Sequence, residues 1–223
     1  EIKMGTLESM SVLAKLIALA GIAMSLSHAT APLSGYEHVI SHVLDLIAER
    51  TPRPLAQHGT QVALSTLLTT NVYQIFFDEF EPAEVNLENC YPTEAQMKAR
   101  VEAAFRPMDP VGQVAAECWA DYKIKLESWH AHRADFEEAL QAWSAIGTQL
   151  RSLVKPPDVT MQILKAISSP IRFAELVPAP TEDEIRFAFR NAPLIRHRFT
   201  LGDLLVFLQW DQETLWKQVN KNH

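Results

Sequence analysis

Cysteine is nearly missing from this 223-residue sequence, with Cys90 and Cys118 the only two. Two thiols cannot build a disulfide framework, and this pair lacks the close spacing of a thiolate metal site, so free thiols in a reducing, cytoplasmic setting are expected. Glycine is scarce too, at seven residues. Gly5, Gly21 and Gly35 stand alone, and no Gly-x-Gly-x-x-Gly occurs, which excludes the phosphate-cradling loop of a dinucleotide-binding fold from these residues. There are no series of alternating β-branched runs separated by turn pairs, which argues against a β protein. No Lys/Arg-dense run exists and the net charge is −7, so nothing asks for nucleic acid or an anionic membrane surface. Internal repeats and low-complexity linkers are absent as well.

What remains is a chain that is 48% hydrophobic and 21% charged, ordinary for a soluble globular protein and long enough to bury a substantial core. Ala, Leu, Glu and Gln dominate, which favours helix. The predicted fold class is all-α, a multi-helix bundle. The run Leu7–Leu26 is apolar nearly all round. Lys15 and several small residues interrupt it and no basic start precedes it, so it reads as a helix enclosed at the bundle centre, with no membrane span predicted.

Thr30 to Gly35 reads as a loop, with Ser34 as the cap of a helix carrying His38, Ile40, His42, Leu44 and Leu46 to about Glu49. Thr51-Pro52-Arg53-Pro54 ends that helix, and another runs from about Ala56 to Phe77 with His58 in its first turn. Glu81 to Pro92 reads as a surface loop. Thr93-Glu94-Ala95-Gln96 has the form of a capping box opening a helix to about Phe105. Val111 to Val154 is one very long or two consecutive helices, interrupted near His130 to Ala134, with Trp119, Tyr122, Leu126 and Trp129 as packing residues. Helices follow over Val159–Ile167, after the box Thr181–Glu184, over Leu204–Trp210 after a third box-like run Thr200-Leu201-Gly202-Asp203, and near Gln212–Val219. The expected organisation is a single helical domain over 1–223, its first part, to roughly residue 80, bearing the site, and the helices from roughly 93 onward supporting it.

The chemistry concentrates between Ser34 and Gly59. His38 and His42 stand four residues apart, on one helical face, and His58 follows sixteen residues after His42, beyond a proline turn long enough to reverse the chain. Three imidazoles able to reach one point form a metal-site geometry, although two helical histidines are also commonly packed or solvated.

The letters Ser34-Gly35-x-Glu37-His38-x-x-Ser41-His42, then His58-Gly59, with the lead-in Thr30-Ala31-Pro32, resemble the metal-binding core of sn-glycerol-1-phosphate dehydrogenases, in the superfamily of iron-containing alcohol dehydrogenases and dehydroquinate synthases. The resemblance covers the C-terminal helical domain only, and the N-terminal nucleotide-binding domain of that family is absent. It implies that His38 and His58 are metal ligands for zinc, alternatively iron or nickel, and that the remaining ligand is an acidic residue lying upstream. It implies that His42 is either an extra ligand or a proton-relay group beside the substrate, a structural role being equally open. Thr30 and Ser34 either touch substrate or serve capping and loop hydrogen bonds; Glu37 either orients an imidazole or steadies the helix start.

The parent enzyme of the resemblance interconverts dihydroxyacetone phosphate and sn-glycerol 1-phosphate with NAD(P), so a small phosphorylated polyol or ketose is the expected partner. This chain alone is expected to be inactive, with self-association open. Arg196-His197-Arg198 either attracts a substrate phosphate or pairs with Asp203 or Glu182. Two other readings stand beside this one. The first is a sugar-phosphate cyclase like dehydroquinate synthase, against which His58-Gly59-Thr60-Gln61 departs from His-Gly-Glu. The second is a non-catalytic α-helical interaction module.

Overall fold

The structure, a computed structural model, describes residues 6–30 and 33–220. Among them there is no β-strand. The helices are α1 (Leu7–Ser27), α2 (Tyr36–Glu49), α3 (His58–Glu79), α4 (Glu94–Phe105), α5 (Gln113–Ala131), α6 (Arg133–Gln141), α7 (Trp143–Leu153), α8 (Pro157–Ala166), α9 (Glu182–Asn191), α10 (Leu201–Phe207) and α11 (Gln212–Asn220). The all-α expectation holds.

Helix α2 shows why the bundle forms. Tyr36, Val39, Ile40, Val43, Leu44 and Ile47 recur at the three-and-four spacing of one helical face, and all six are buried. Each such side chain contributes roughly 1.5–3 kcal/mol of apolar burial when fully enclosed. This face meets α3, which supplies Leu64, Leu68, Val72 and Phe76, and α9, which supplies Ile185, Ala188 and Phe189. Helix α5 closes the far side with Tyr122, Leu126 and Trp129, and the short α10 fills the centre with Leu205, Val206 and Phe207. The Trp129 indole stacks on the Phe207 ring at 4.8 Å and donates to the Cys90 carbonyl at 2.8 Å. The aromatics of α5 are therefore packing residues, as their spacing suggests.

The capping boxes at Thr93, Thr181 and Thr200 all form, each with a reciprocal pair of hydrogen bonds to the residue three positions on. The predicted break near His130 to Ala134 falls at His132. A second break at Ala142 divides the remainder, so the stretch from Gln113 to Leu153 is three helices. The Glu81 to Pro92 loop contains two short 3-10 turns that bury Cys90. Of the loop before α2, Ala31 and Pro32 lie outside the described residues.

Helix α1 corrects the sequence reading most sharply. It is a helix of the predicted extent, but it is not enclosed at the bundle centre: Leu7, Met10, Leu16, Ile17, Leu19, Ile22 and Leu26 are all exposed, and only 6% of its apolar length is buried. It is long and apolar enough to cross a membrane by length and composition alone, with Lys15 near its middle. Uniform apolarity says that a helix is better off covered, but it carries no face and therefore no address. The amphipathic α2, with a defined apolar stripe, takes the central place. Deleting residues 1–28 is accordingly expected to shift the unfolding free energy of the remaining bundle by no more than about 1 kcal/mol, read from the urea midpoint at constant slope.

Candidate metal centre

The periodicity that buries one face of α2 places a second, polar stripe beside it: His38, Ser41, His42 and Asp45 recur at the same three-and-four spacing. That stripe faces the start of α3, where His58 is the first residue and Gln61 stands one turn on. The turn between the helices brings the three imidazoles together. Ring centres lie 5.6 Å apart for His38 and His58, 5.5 Å for His42 and His58, and 6.2 Å for His38 and His42. Two imidazoles sharing a tetrahedral cation at ~2.1 Å put their ring centres about 5 Å apart, so His38 and His58 need close by only a few tenths of an ångström.

Each of these two rings has a carboxylate on one nitrogen. Glu37 Oε1 lies 3.4 Å from His38 Nδ1, and Asp45 Oδ2 lies 3.3 Å from His58 Nδ1, with Ser41 Oγ also 3.3 Å from the latter. A carboxylate only accepts, so in the neutral ring Nδ1 carries the hydrogen and Nε2 keeps its lone pair. Glu37 does both things the sequence left open, since the same Oε1 also accepts from Gly35 N at 2.8 Å. That bond fills the cap position. Ser34 does not cap α2: Gly35 is the N-cap residue and contributes no side chain, and a Cβ there would come within 2.7 Å of the Glu37 carboxylate.

His42 stands half-buried, its ring the third corner of a triangle with the other two. Burial holds its imidazole below the ordinary value of 6.5, and the Arg196 guanidinium and the His58 ring push it the same way. The folded value is the depressed one, so the stability tied to neutral His42 is full above the unfolded value and is lost as pH falls through the folded value. In metal-free protein, the NMR titration midpoint of His42 is expected below 6.5, and Arg196→Gln is expected to raise it while leaving it below that value, since burial is the larger cause.

A cleft of about 470 Å³ opens beside His42 and Asp45 and is bounded on its far side by Cys118, Asp121, Ile195 and Arg196. Arg196 sits at φ 61°, the left-handed region that costs a side-chain-bearing residue about 1 kcal/mol or more. The arginine cluster departs from both expected pairings. Arg198 donates to the Ser34 carbonyl at 2.6 Å and to Thr30 Oγ1 at 2.9 Å, and His197 lies 3.9 Å from Asp121. Asp203 pairs instead with Lys125, and Glu182 with Asn220. Thr30 and Ser34 are thus tied to Arg198, and neither lines the cleft beside His42. The cleft also carries Glu49 and Glu117, so its carboxylates outnumber Arg50 and Arg196, and charge alone does not assign a phosphate to it.

Histidine pattern reasoning missed three members of this cluster: Ser41, Asp45 and Gln61. Their signal lay in the letters, at helical spacing from His38 and His58. Cys118, on the cleft wall, has its thiol pushed up to about 12, mainly by burial, which disfavours the thiolate there. His130 and His132 stay apart from the cluster, bonded to the carbonyls of Pro92 and Ser128. Among the described residues no group of three or more His, Cys, Asp or Glu side chains is placed so that together they could hold a metal ion.

Fold and site define an all-α bundle with three imidazoles gathered between two consecutive helices. Over about 30% of its length the chain is similar to glycerol-1-phosphate dehydrogenases (NAD(P)+). It is 38% identical over 68 residues to the enzyme of that name from Korarchaeum cryptofilum and 43% identical over 68 residues to that from Natronomonas pharaonis, each match covering 30% of this chain. With the Pyrococcus furiosus enzyme it shares 34% over 74 residues, 33% of this chain. The matched segment spans 22%, 18% and 20% of those relatives, about a fifth of their length. No family model and no solved structure matches.

Proposed function

We infer that this chain is the metal- and substrate-binding portion of an NAD(P)-dependent dehydrogenase that interconverts dihydroxyacetone phosphate and sn-glycerol 1-phosphate. The observation that carries the reading is the 5.6 Å approach of the His38 and His58 rings, with carboxylates on their Nδ1 sides. The donor set fits a divalent cation, with zinc, iron or nickel all suited to imidazole. His38 and His58 would hold it through Nε2, and a carboxylate from outside the described residues would complete the set. Bound there, the metal supplies Lewis acidity toward a substrate oxygen.

The chain's own residues do the rest. His42 is kept neutral by burial and stands against both rings, so one of its nitrogens can accept a proton from the substrate hydroxyl in oxidation and return it in reduction. Thr30 and Ser34, both held by Arg198, would stand in the vicinity of the substrate. The nicotinamide cofactor is held elsewhere, by a nucleotide-binding half, and the chain without that half turns nothing over.

The test is oxidation of NADH by dihydroxyacetone phosphate, followed by absorbance, in the polypeptide that joins this chain to its nucleotide-binding half. Activity is expected to vanish on chelation and return with zinc or iron. His38→Ala and His58→Ala are expected to lower it by more than the 10–100-fold typical of residues behind a metal ligand. Full activity in either variant overturns the reading, and substrate turnover without net cofactor oxidation would favour a cyclase instead.

A further inference from the structure

We propose that Asp45 and Gln61 are positioning residues that fix which nitrogen of His58 carries the proton and so aim its Nε2 lone pair at the cation. The inference rests on the metal-centre reading above and adds to it the residues that make His58 a ligand.

Gln61 is 3% exposed, and its Nε2 lies 2.9 Å from the Ser41 carbonyl, 2.9 Å from Ser41 Oγ and 2.8 Å from Asp45 Oδ1. A carbonyl and a carboxylate oxygen only accept, so the amide nitrogen, and not the amide oxygen, must face them. One oxygen of Asp45 is thereby held by Gln61, and the other accepts from His58 Nδ1 at 3.3 Å. The carboxylate has no free rotation left. Ser41 is fully buried on the turn before Asp45, and its hydroxyl borders the same ring nitrogen at 3.3 Å. The chain of contacts therefore runs from a buried amide on α3, across to a carboxylate on α2, and back to the imidazole at the first position of α3.

This geometry distinguishes positioning from plain stability. His58 sits at a helix end, with its side chain 47% exposed, where packing does little to hold a ring. Without Asp45, only the Ser41 hydroxyl faces Nδ1, and a hydroxyl donates as readily as it accepts, so the Nδ1–H form is no longer selected over the Nε2–H form, which cannot bind metal through Nε2. Asn at 45 is nearly isosteric yet presents an amide that can donate as well as accept, which permits the wrong tautomer. Methionine at 61 keeps much of the volume of glutamine and removes the donor that holds Asp45.

The experiment titrates Co²⁺, as the visible-band probe, and then Zn²⁺ against a chromophoric chelator, into the described chain. ¹⁵N chemical shifts of the metal-free His58 ring report the tautomer. Asp45→Asn is expected to weaken metal affinity 10–100-fold and to bring in the Nε2–H form, and Gln61→Met to do the same to a smaller degree. His58→Ala should abolish uptake, and Asp45→Glu should restore part of the affinity lost in Asp45→Asn. Circular dichroism confirms that the variants remain folded. If His58→Ala abolishes uptake while Asp45→Asn alters neither affinity nor tautomer, the positioning role is overturned and the metal centre stands. If His38→Ala and His58→Ala leave uptake unchanged, the metal centre falls and the positioning role falls with it.

Discussion

Lys125→Met is expected to cost the fold about 3–5 kcal/mol, the penalty for breaking a buried ion pair and leaving one charge unpaired. Lys125 is 2% exposed and Asp203 is completely buried, with Nζ 2.6 Å from Oδ1. Burial lowers the pKa of the ammonium and raises that of the carboxylate, pulling each toward its neutral form. Their contact works against that, and so do the hydrogen bonds around it: Thr200 donates its amide and hydroxyl to Asp203 Oδ2, both at 2.8 Å, and the ammonium donates to the Pro193 carbonyl at 2.6 Å. Methionine fills nearly the same space but leaves the carboxylate, and the carbonyl, without their partner.

The double variant Lys125→Met with Asp203→Asn separates charge from shape. Asparagine keeps an oxygen for the Thr200 amide, so the cap of α10 survives, and no isolated charge remains. The double variant is expected within about 2 kcal/mol of the wild type, because replacing both members of a buried pair is far cheaper than removing one. Urea unfolding with an unchanged slope reads both values. A single-variant cost under about 1 kcal/mol would mean that water reaches the pair and that it is not a buried one. The consequence reaches the site, because Lys125 ties down the carbonyls of Pro193 and Ile195, directly before the strained Arg196 that faces His42.

This pair also marks where reading the letters stops. Helix starts were legible because the information is local: a threonine and an acceptor three residues on suffice to place a cap, and Thr93, Thr181 and Thr200 all do so. The approach of His38, His42 and His58 was legible for a related reason, since two helices joined by a short proline turn have few ways to meet. Asp203, read as a candidate partner for the arginine cluster, pairs instead with a lysine far off in the sequence, on α5. No periodicity announces a contact of that range. Helix α1 shows the opposite failure, a strong local signal for burial that names no partner. Asp45 and Gln61 were readable from their spacing but passed over, because a pattern built on imidazoles does not look for the groups that hold them.

Gly202→Ala is expected to destabilise the protein by about 1–3 kcal/mol, the range for forcing extra volume into a packed core. A Cβ at this position would stand 2.6 Å from Cε2 and 2.8 Å from Cζ of Tyr36, and 2.8 Å from Cγ of Pro193. Neither neighbour can swing away. Tyr36 is 1% exposed, and its hydroxyl donates to the Phe189 carbonyl at 2.8 Å, so the ring is held at both ends; Pro193 is buried, and its carbonyl is the one that Lys125 grips. In an exposed helix the same exchange would be favourable by roughly 0.5–1 kcal/mol, because alanine is the better helix former, so the sign of the result tells packing from propensity. Tyr36 is the first residue of α2, two positions before His38. Strain relieved by moving Tyr36 turns the start of that helix and carries the His38 ring away from His58. Gly202→Ala is therefore expected to weaken Co²⁺ binding as well as lower the urea midpoint, although residue 202 touches none of the imidazoles. A stabilised Gly202→Ala variant with unaltered metal affinity would mean that α10 and the start of α2 are not packed as tightly as these distances require.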